Sequence, residues 1–118
     1  MRTFMKWIAV ISVMVSATSH AAIVESACLT VTAVVNEEYG NAVVVALSPA
    51  IPGCTPNTTP GVQFVVGVNG ITAATLNSYL ASGFYALATG QRVMVTYDDS
   101  TSNCYGMAIA NGGFHGEC

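Results

Sequence analysis

Apolar and polar side chains alternate from Cys28 to Val35 (CLTVTAVV), with Leu29, Val31, Ala33 and Val35 on one face and Thr30, Thr32 and Val34 on the other. A period of two predicts a β-strand. Asn36 to Asn41 (NEEYGN) is polar and holds a glycine, so it predicts a turn. Ala42 to Leu47 (AVVVAL) is an almost unbroken β-branched run, which predicts a second strand covered on both faces. Val62 to Val68 (VQFVVGV) reads as a third strand, ended by Asn69-Gly70. Between these two lies Ser48 to Gly61 (SPAIPGCTPNTTPG), which contains Pro49, Pro52, Pro56 and Pro60, all the prolines of the chain. Proline has no N–H to give a ladder, so this stretch is a long loop.

Beyond Gly70 the period lengthens. Leu76, Tyr79, Leu80, Gly83, Phe84 and Leu87 recur at three and four residues, with Thr72 placed as N-cap and Gly90 just past the end. The pattern predicts one amphipathic helix of about four turns whose core face is those six residues. Gln91 to Tyr97 (QRVMVTY) returns to alternation as a fourth strand, Asp98 to Asn103 (DDSTSN) is a turn, and Cys104 to Ala110 (CYGMAIA) is a shorter fifth strand. Three strands, a helix and two strands, mainly β with one helix, is the element order of the OB-fold, a five-stranded Greek-key barrel. Its first strand pairs antiparallel with its fourth. A small open α+β sheet with the helix on one face is the competing architecture.

The start of the chain follows another pattern. Arg2 and Lys6 precede an apolar run, Trp7 to Val15, and Ser16 to Ala21 is small and polar, ending in Ser19-x-Ala21. This is the form of a secretory signal peptide cut after Ala21. The apolar run reaches only about half the hydrocarbon thickness of a bilayer, so no membrane insertion is expected after cleavage. Residues 1–21 are therefore read as a leader and residues 22–118 as a single domain, exported to the periplasm or out of the cell. All four cysteines, Cys28, Cys54, Cys104 and Cys118, lie in that domain. An even count in a short exported chain predicts two disulfides, and no pair has the C-x-x-C spacing of a metal site. Three pairings are open. Cys28 with Cys118 and Cys54 with Cys104 is favoured, because the first pins both chain ends. The OB arrangement also brings the loops of Cys54 and Cys104 to one end of the barrel.

Charge narrows the function. Once Arg2 and Lys6 leave with the leader, Arg92 is the only basic side chain against Glu25, Glu37, Glu38, Asp98, Asp99 and Glu117. One cation does not neutralise a row of phosphates, which excludes nucleic acid and a polybasic membrane contact. His20 falls in the leader, so His115 in the Gly-rich tail is the sole remaining imidazole, a poor basis for a metal site or a Ser/His/Asp relay. The turn Asp98 to Asn103 carries several oxygen ligands but no recognised Ca²⁺ spacing. Adjacent carboxylates in a turn are not held across a substrate as glycoside hydrolysis requires. The chain reads as a non-enzymatic binding protein with no metal and no cofactor.

Leu76 to Tyr97 (LNSYLASGFYALATGQRVMVTY) is the most informative stretch. It resembles the helix and following strand of the B subunits of subtilase cytotoxin and pertussis-like toxins, in which a helix ending in an aromatic/Thr-Gly-Gln segment runs into a Val-x-Val/Ile-x-Tyr strand. It is similar as well to a wider set of small secreted bacterial OB-fold proteins. The resemblance implies a homo-pentamer that carries a separate catalytic chain and binds host-cell glycans, sialylated in the toxin family. Tyr97 matches the tyrosine that closes the strand after the helix. Ser26 stands nearest to a serine that precedes the first strand, although Ala27 and Cys28 occupy the place an ungapped alignment gives it. With Asp98, the first polar neighbour beyond the strand, these make the candidate glycan-binding set Tyr97, Ser26 and Asp98.

From Thr72 to Gly90 there is no charged residue, and the predicted outer side of the helix carries Thr75, Ser78, Ala81, Ser82, Tyr85 and Thr89. A solvated helix normally places Lys and Glu there. Thr75, Ser78, Ser82 and Tyr85 are therefore candidates for an interface between copies. Charged residues make up only 8% of the chain, so a uniformly Ser/Thr-rich surface is the competing explanation. The alternative function is that of a monomeric exported OB-fold protein that binds another protein, as an inhibitor or accessory factor, through its Pro-rich loop and an exposed sheet edge.

Overall fold

The computed structural model describes residues 22–37 and 40–118. The expected leader, and Glu38 and Tyr39 of the expected turn, lie outside them. The described residues are mainly β with one α-helix: β1 (Ile23–Glu25), β2 (Thr30–Glu37), β3 (Ala42–Ser48), β4 (Gly61–Val65), α1 (Ala73–Thr89), β5 (Val93–Asp98) and β6 (Gly106–Asn111). The strands form two antiparallel sheets, ordered β2-β3-β4 and β1-β5-β6. Two isolated bridges join them, Leu29 antiparallel to Val93 and Gln63 parallel to Tyr105.

The β-branched run becomes the central strand β3, buried from Ala42 to Leu47 as its composition predicts. Several strand limits differ from the sequence reading. The described residues form six strands rather than five, because β1 is an additional strand of three residues, too short to show a period. β2 starts two residues later than expected and runs on through Glu37, which pairs with Ala42. β4 stops at Val65, where Val68 N–H bonds back to the Val65 carbonyl and Gly67 takes a left-handed φ of 91°.

The face of β2 also differs. Its register shifts between Val31 and Ala33, the mark of a β-bulge, and an extra residue exchanges the faces of everything beyond it. Val31 is buried, but past the bulge Val34 packs against the core and Val35 is 41% exposed.

The helix ends are where the caps predict. The Thr72 side chain accepts from Thr75 N–H at 3.1 Å, and Gly90, with φ 77°, donates its N–H to the Ala86 carbonyl. The core face is rotated from the expected one. Leu76, Gly83 and Ala86 are buried, whereas Phe84 is half exposed and Leu87 lies outside with it. The cause is close approach at Gly83, where a Cβ would meet Val34 Cγ2 at 3.1 Å. Ala86, one turn on, is buried on the same side, and Phe84 is left on the other. Tyr79 anchors the helix at its inner edge, its hydroxyl donating to the Met107 carbonyl at 2.9 Å and its ring 5.2 Å from that of fully buried Phe64.

Disulfides join Cys28 to Cys118 and Cys54 to Cys104, with Cα separations of 5.8 and 5.4 Å. The first ties the segment before β2 to the last residue. The second, fully buried, holds the Pro-rich loop against the β5–β6 turn, where Thr55 N–H also bonds to the Ser102 carbonyl. No helix among the described residues is long and apolar enough to cross a membrane.

Candidate functional site

Pairing of β1 with β5 sets Val24 opposite Tyr97 and Glu25 opposite Thr96. The chain leaving β1 therefore passes beside the end of β5, and the loop leaving β3 folds in next to both. Between them lies a pocket of ≈ 320 Å³ lined by Glu25, Ser26, Ala27 and Leu29, by Pro49 to Pro52, and by Tyr97. Prolines at both ends of the Pro49–Pro52 segment restrict its backbone, and Cys54 tethers the loop two residues on.

Two of the three glycan-binding candidates meet here. Tyr97 is 7% exposed and belongs at once to the core and to the pocket wall. Burial pushes the Tyr97 phenol above its ordinary value, and the negative charge of Asp99 adds to this. Ser26 is buried as well. Its Oγ accepts from Val95 N–H at 3.0 Å and donates to the Ala27 carbonyl at 2.7 Å, while its own N–H bonds to the Val95 carbonyl. The side chain thus stands in for a ladder partner of β5, and its proton is already committed. Asp98 does not line the pocket. Its carboxylate accepts from Ser100 N–H at 2.8 Å and closes the β5–β6 turn, a use typical of aspartate in turns.

Sequence reasoning missed Glu25 and the Pro49–Pro52 wall. Glu25 lies in the strand too short to read, and nothing in a proline loop says which surface it will fold against. The lining is largely apolar, through Leu29, Pro49, Ile51 and Pro52, and includes Tyr97 and Glu25. Arg92, the only Lys or Arg among the described residues, is not part of it. His115 is also elsewhere, exposed in the tail with Nδ1 3.3 Å from Glu117 Oε2. The His115 backbone N–H bonds to that carboxylate and holds it below its ordinary value. No group of three or more His, Cys, Asp or Glu among the described residues could hold a metal ion.

The interface candidates divide. Ser78 and Tyr85 are exposed, Tyr85 by 56%, but Thr75 and Ser82 are half-buried. Thr75 Oγ1 lies 2.9 Å from Thr72 Oγ1 within the N-cap, and the Ser82 carbonyl accepts from Asn111 Nδ2 at 3.0 Å. The outward face is instead Ser78, Ala81, Phe84, Tyr85 and Ala88, uncharged as expected and more apolar than expected. No protein-family model, no curated protein and no solved structure matches this chain.

Proposed function

We propose that this protein is an exported carbohydrate-binding module of the toxin B-subunit type, that the pocket at Ser26 and Tyr97 takes a sugar, and that the protein acts without catalysis of its own. The observation that carries the reading is convergence. Ser26 and Tyr97, far apart in sequence and each marked by the resemblance alone as a sugar contact, line the same pocket. A largely apolar lining that includes a tyrosine suits a sugar, whose C–H face packs on an aromatic ring and whose oxygens pair with a phenol.

We further infer that the two sheets are one OB-type barrel. The Leu29–Val93 and Gln63–Tyr105 bridges support this, because they join the sheets at both seams. In this reading β1 and β2 are two halves of the first strand, interrupted at Ser26 to Leu29, and the strand count returns to five. Two disulfides in a chain this short fit an oxidising compartment, the periplasm or the cell exterior. The uncharged outward face of α1 supports assembly into a homo-oligomer, a pentamer by the resemblance, that accompanies a separate catalytic chain.

A glycan array probed with the oxidised protein tests the site. Filling the pocket from exposed Ala50 by Ala50→Trp is expected to abolish binding with the circular dichroism unchanged. Binding retained by that variant would remove the pocket from the account. The alternative of a monomer that binds a protein through the Pro49–Pro60 loop and the β1 edge predicts a silent array and the mass of one chain.

A further inference from the structure

We propose that this pocket selects uncharged sugars and rejects the same sugars when they carry a carboxylate or sulfate. The inference rests on the sugar reading given above and specifies which glycans the pocket accepts.

An acidic sugar needs a cation or uncommitted hydrogen-bond donors to replace the water its anion loses. The lining residues supply neither Lys nor Arg, and Arg92 lies elsewhere. The hydroxyl of Ser26, the residue that would otherwise serve as donor, gives its proton to the Ala27 carbonyl and accepts from Val95 N–H. Of the lining residues, that leaves Tyr97 as the one with a further side-chain donor. Around it the charge is of the wrong sign. Glu25 lines the pocket directly. Asp99, whose N–H bonds to the Ala22 carbonyl, holds the β5–β6 turn against the start of β1, and its field reaches the Tyr97 phenol. A ligand anion seated here would share the pocket with Glu25, beside the turn that carries Asp99, and would find no Lys or Arg among the lining residues. Like charges about 4 Å apart in water weaken binding about fivefold.

An array printed with matched pairs, each neutral oligosaccharide beside its sialylated or sulfated derivative, reads this directly at low ionic strength, where screening is least. The neutral member of each bound pair is expected to bind at least about fivefold tighter. In the Glu25→Gln/Asp99→Asn variant that ratio should fall to within about twofold, since the repelling charges are gone. If the acidic member binds as well as the neutral one or better, the selectivity is wrong while the sugar site stands. A neutral preference that survives the double substitution unchanged would overturn its electrostatic origin. An array silent for both members would remove the sugar reading itself and this inference with it.

Discussion

Gly106 lies on the strand that closes the second sheet and directly beneath the ring of Phe64. A Cβ built there falls on that ring, 2.6 Å from Cδ1 and 2.8 Å from Cζ, with Cε1 nearer still. Real Cβ contacts do not come so close, so Gly106→Ala forces something to move. The ring has little freedom. Phe64 is 0% exposed, and its neighbour Tyr79 is held in place by the bond from its hydroxyl to the Met107 carbonyl. The backbone at Gly106 is outside the left-handed region, so alanine suits the strand and the whole effect is steric. Overpacking of this kind costs about 2 kcal/mol. For a domain of this size that lowers Tm by about 10 °C.

A double-mutant cycle isolates the contact. Phe64→Leu alone destabilises by opening a cavity, but it vacates the space the new methyl needs. Gly106→Ala should therefore cost far less in the Phe64→Leu background, with a coupling of at least about 1 kcal/mol between the two sites. Urea unfolding of the four oxidised proteins, compared by midpoint at equal slope, supplies the values. Additivity within about 0.5 kcal/mol, or a neutral Gly106→Ala, would refute the packing described at this seam.

Replacing Cys28 and Cys118 together by alanine should lower stability by about 4.6 kcal/mol, the chain entropy released when a loop of this length is opened; an unchanged urea midpoint would show that this bond is not needed as a pin. Tyr97 ionises with more difficulty in the fold than in the unfolded chain, so its contribution is fully present below the ordinary tyrosine pKa of 10.0 and is lost as pH rises through the raised folded value. Denaturant unfolding at pH values on either side of 10.0 should show this loss in the native protein and a smaller one in Tyr97→Phe. Tyr85→Lys places a charge on the outward helix face and should reduce the native mass to that of one chain with the circular dichroism unchanged. A native protein that is already monomeric, or an assembly that tolerates the lysine, contradicts the assembly reading.

Features decided by neighbours in sequence were legible in it, and most of those decided across the fold were not, the disulfide pairing being the exception. Thr72 and Gly90 mark the helix ends because capping is local. The inward face of that helix depends on how closely Gly83 approaches Val34, and so Phe84 and Leu87 are apolar without being core. In β2 the alternation predicts one face throughout, yet the bulge after Val31 exchanges Val34 and Val35. A bulge leaves no mark in a pattern of Thr, Ala and Val. β1 has three residues, fewer than any period needs, although it carries Glu25 and leads into Ser26 at the pocket. Tyr97 is visible as a strand-end aromatic and through the resemblance, Ser26 through the resemblance alone. The Pro49–Pro52 wall carries no signal, because its place is set by where β3 ends and by the Cys54–Cys104 bond.

The most direct test of the pocket as a glycan site is backbone amide shift mapping of the isotope-labelled, oxidised protein, titrated with a neutral oligosaccharide chosen from the array. The perturbed amides are expected to cluster at Glu25 to Leu29, Ala50, Ile51 and Tyr97, with the outward face of the helix unmoved. Perturbations centred on the helix or on β6, or none at millimolar sugar, would contradict the glycan-site reading.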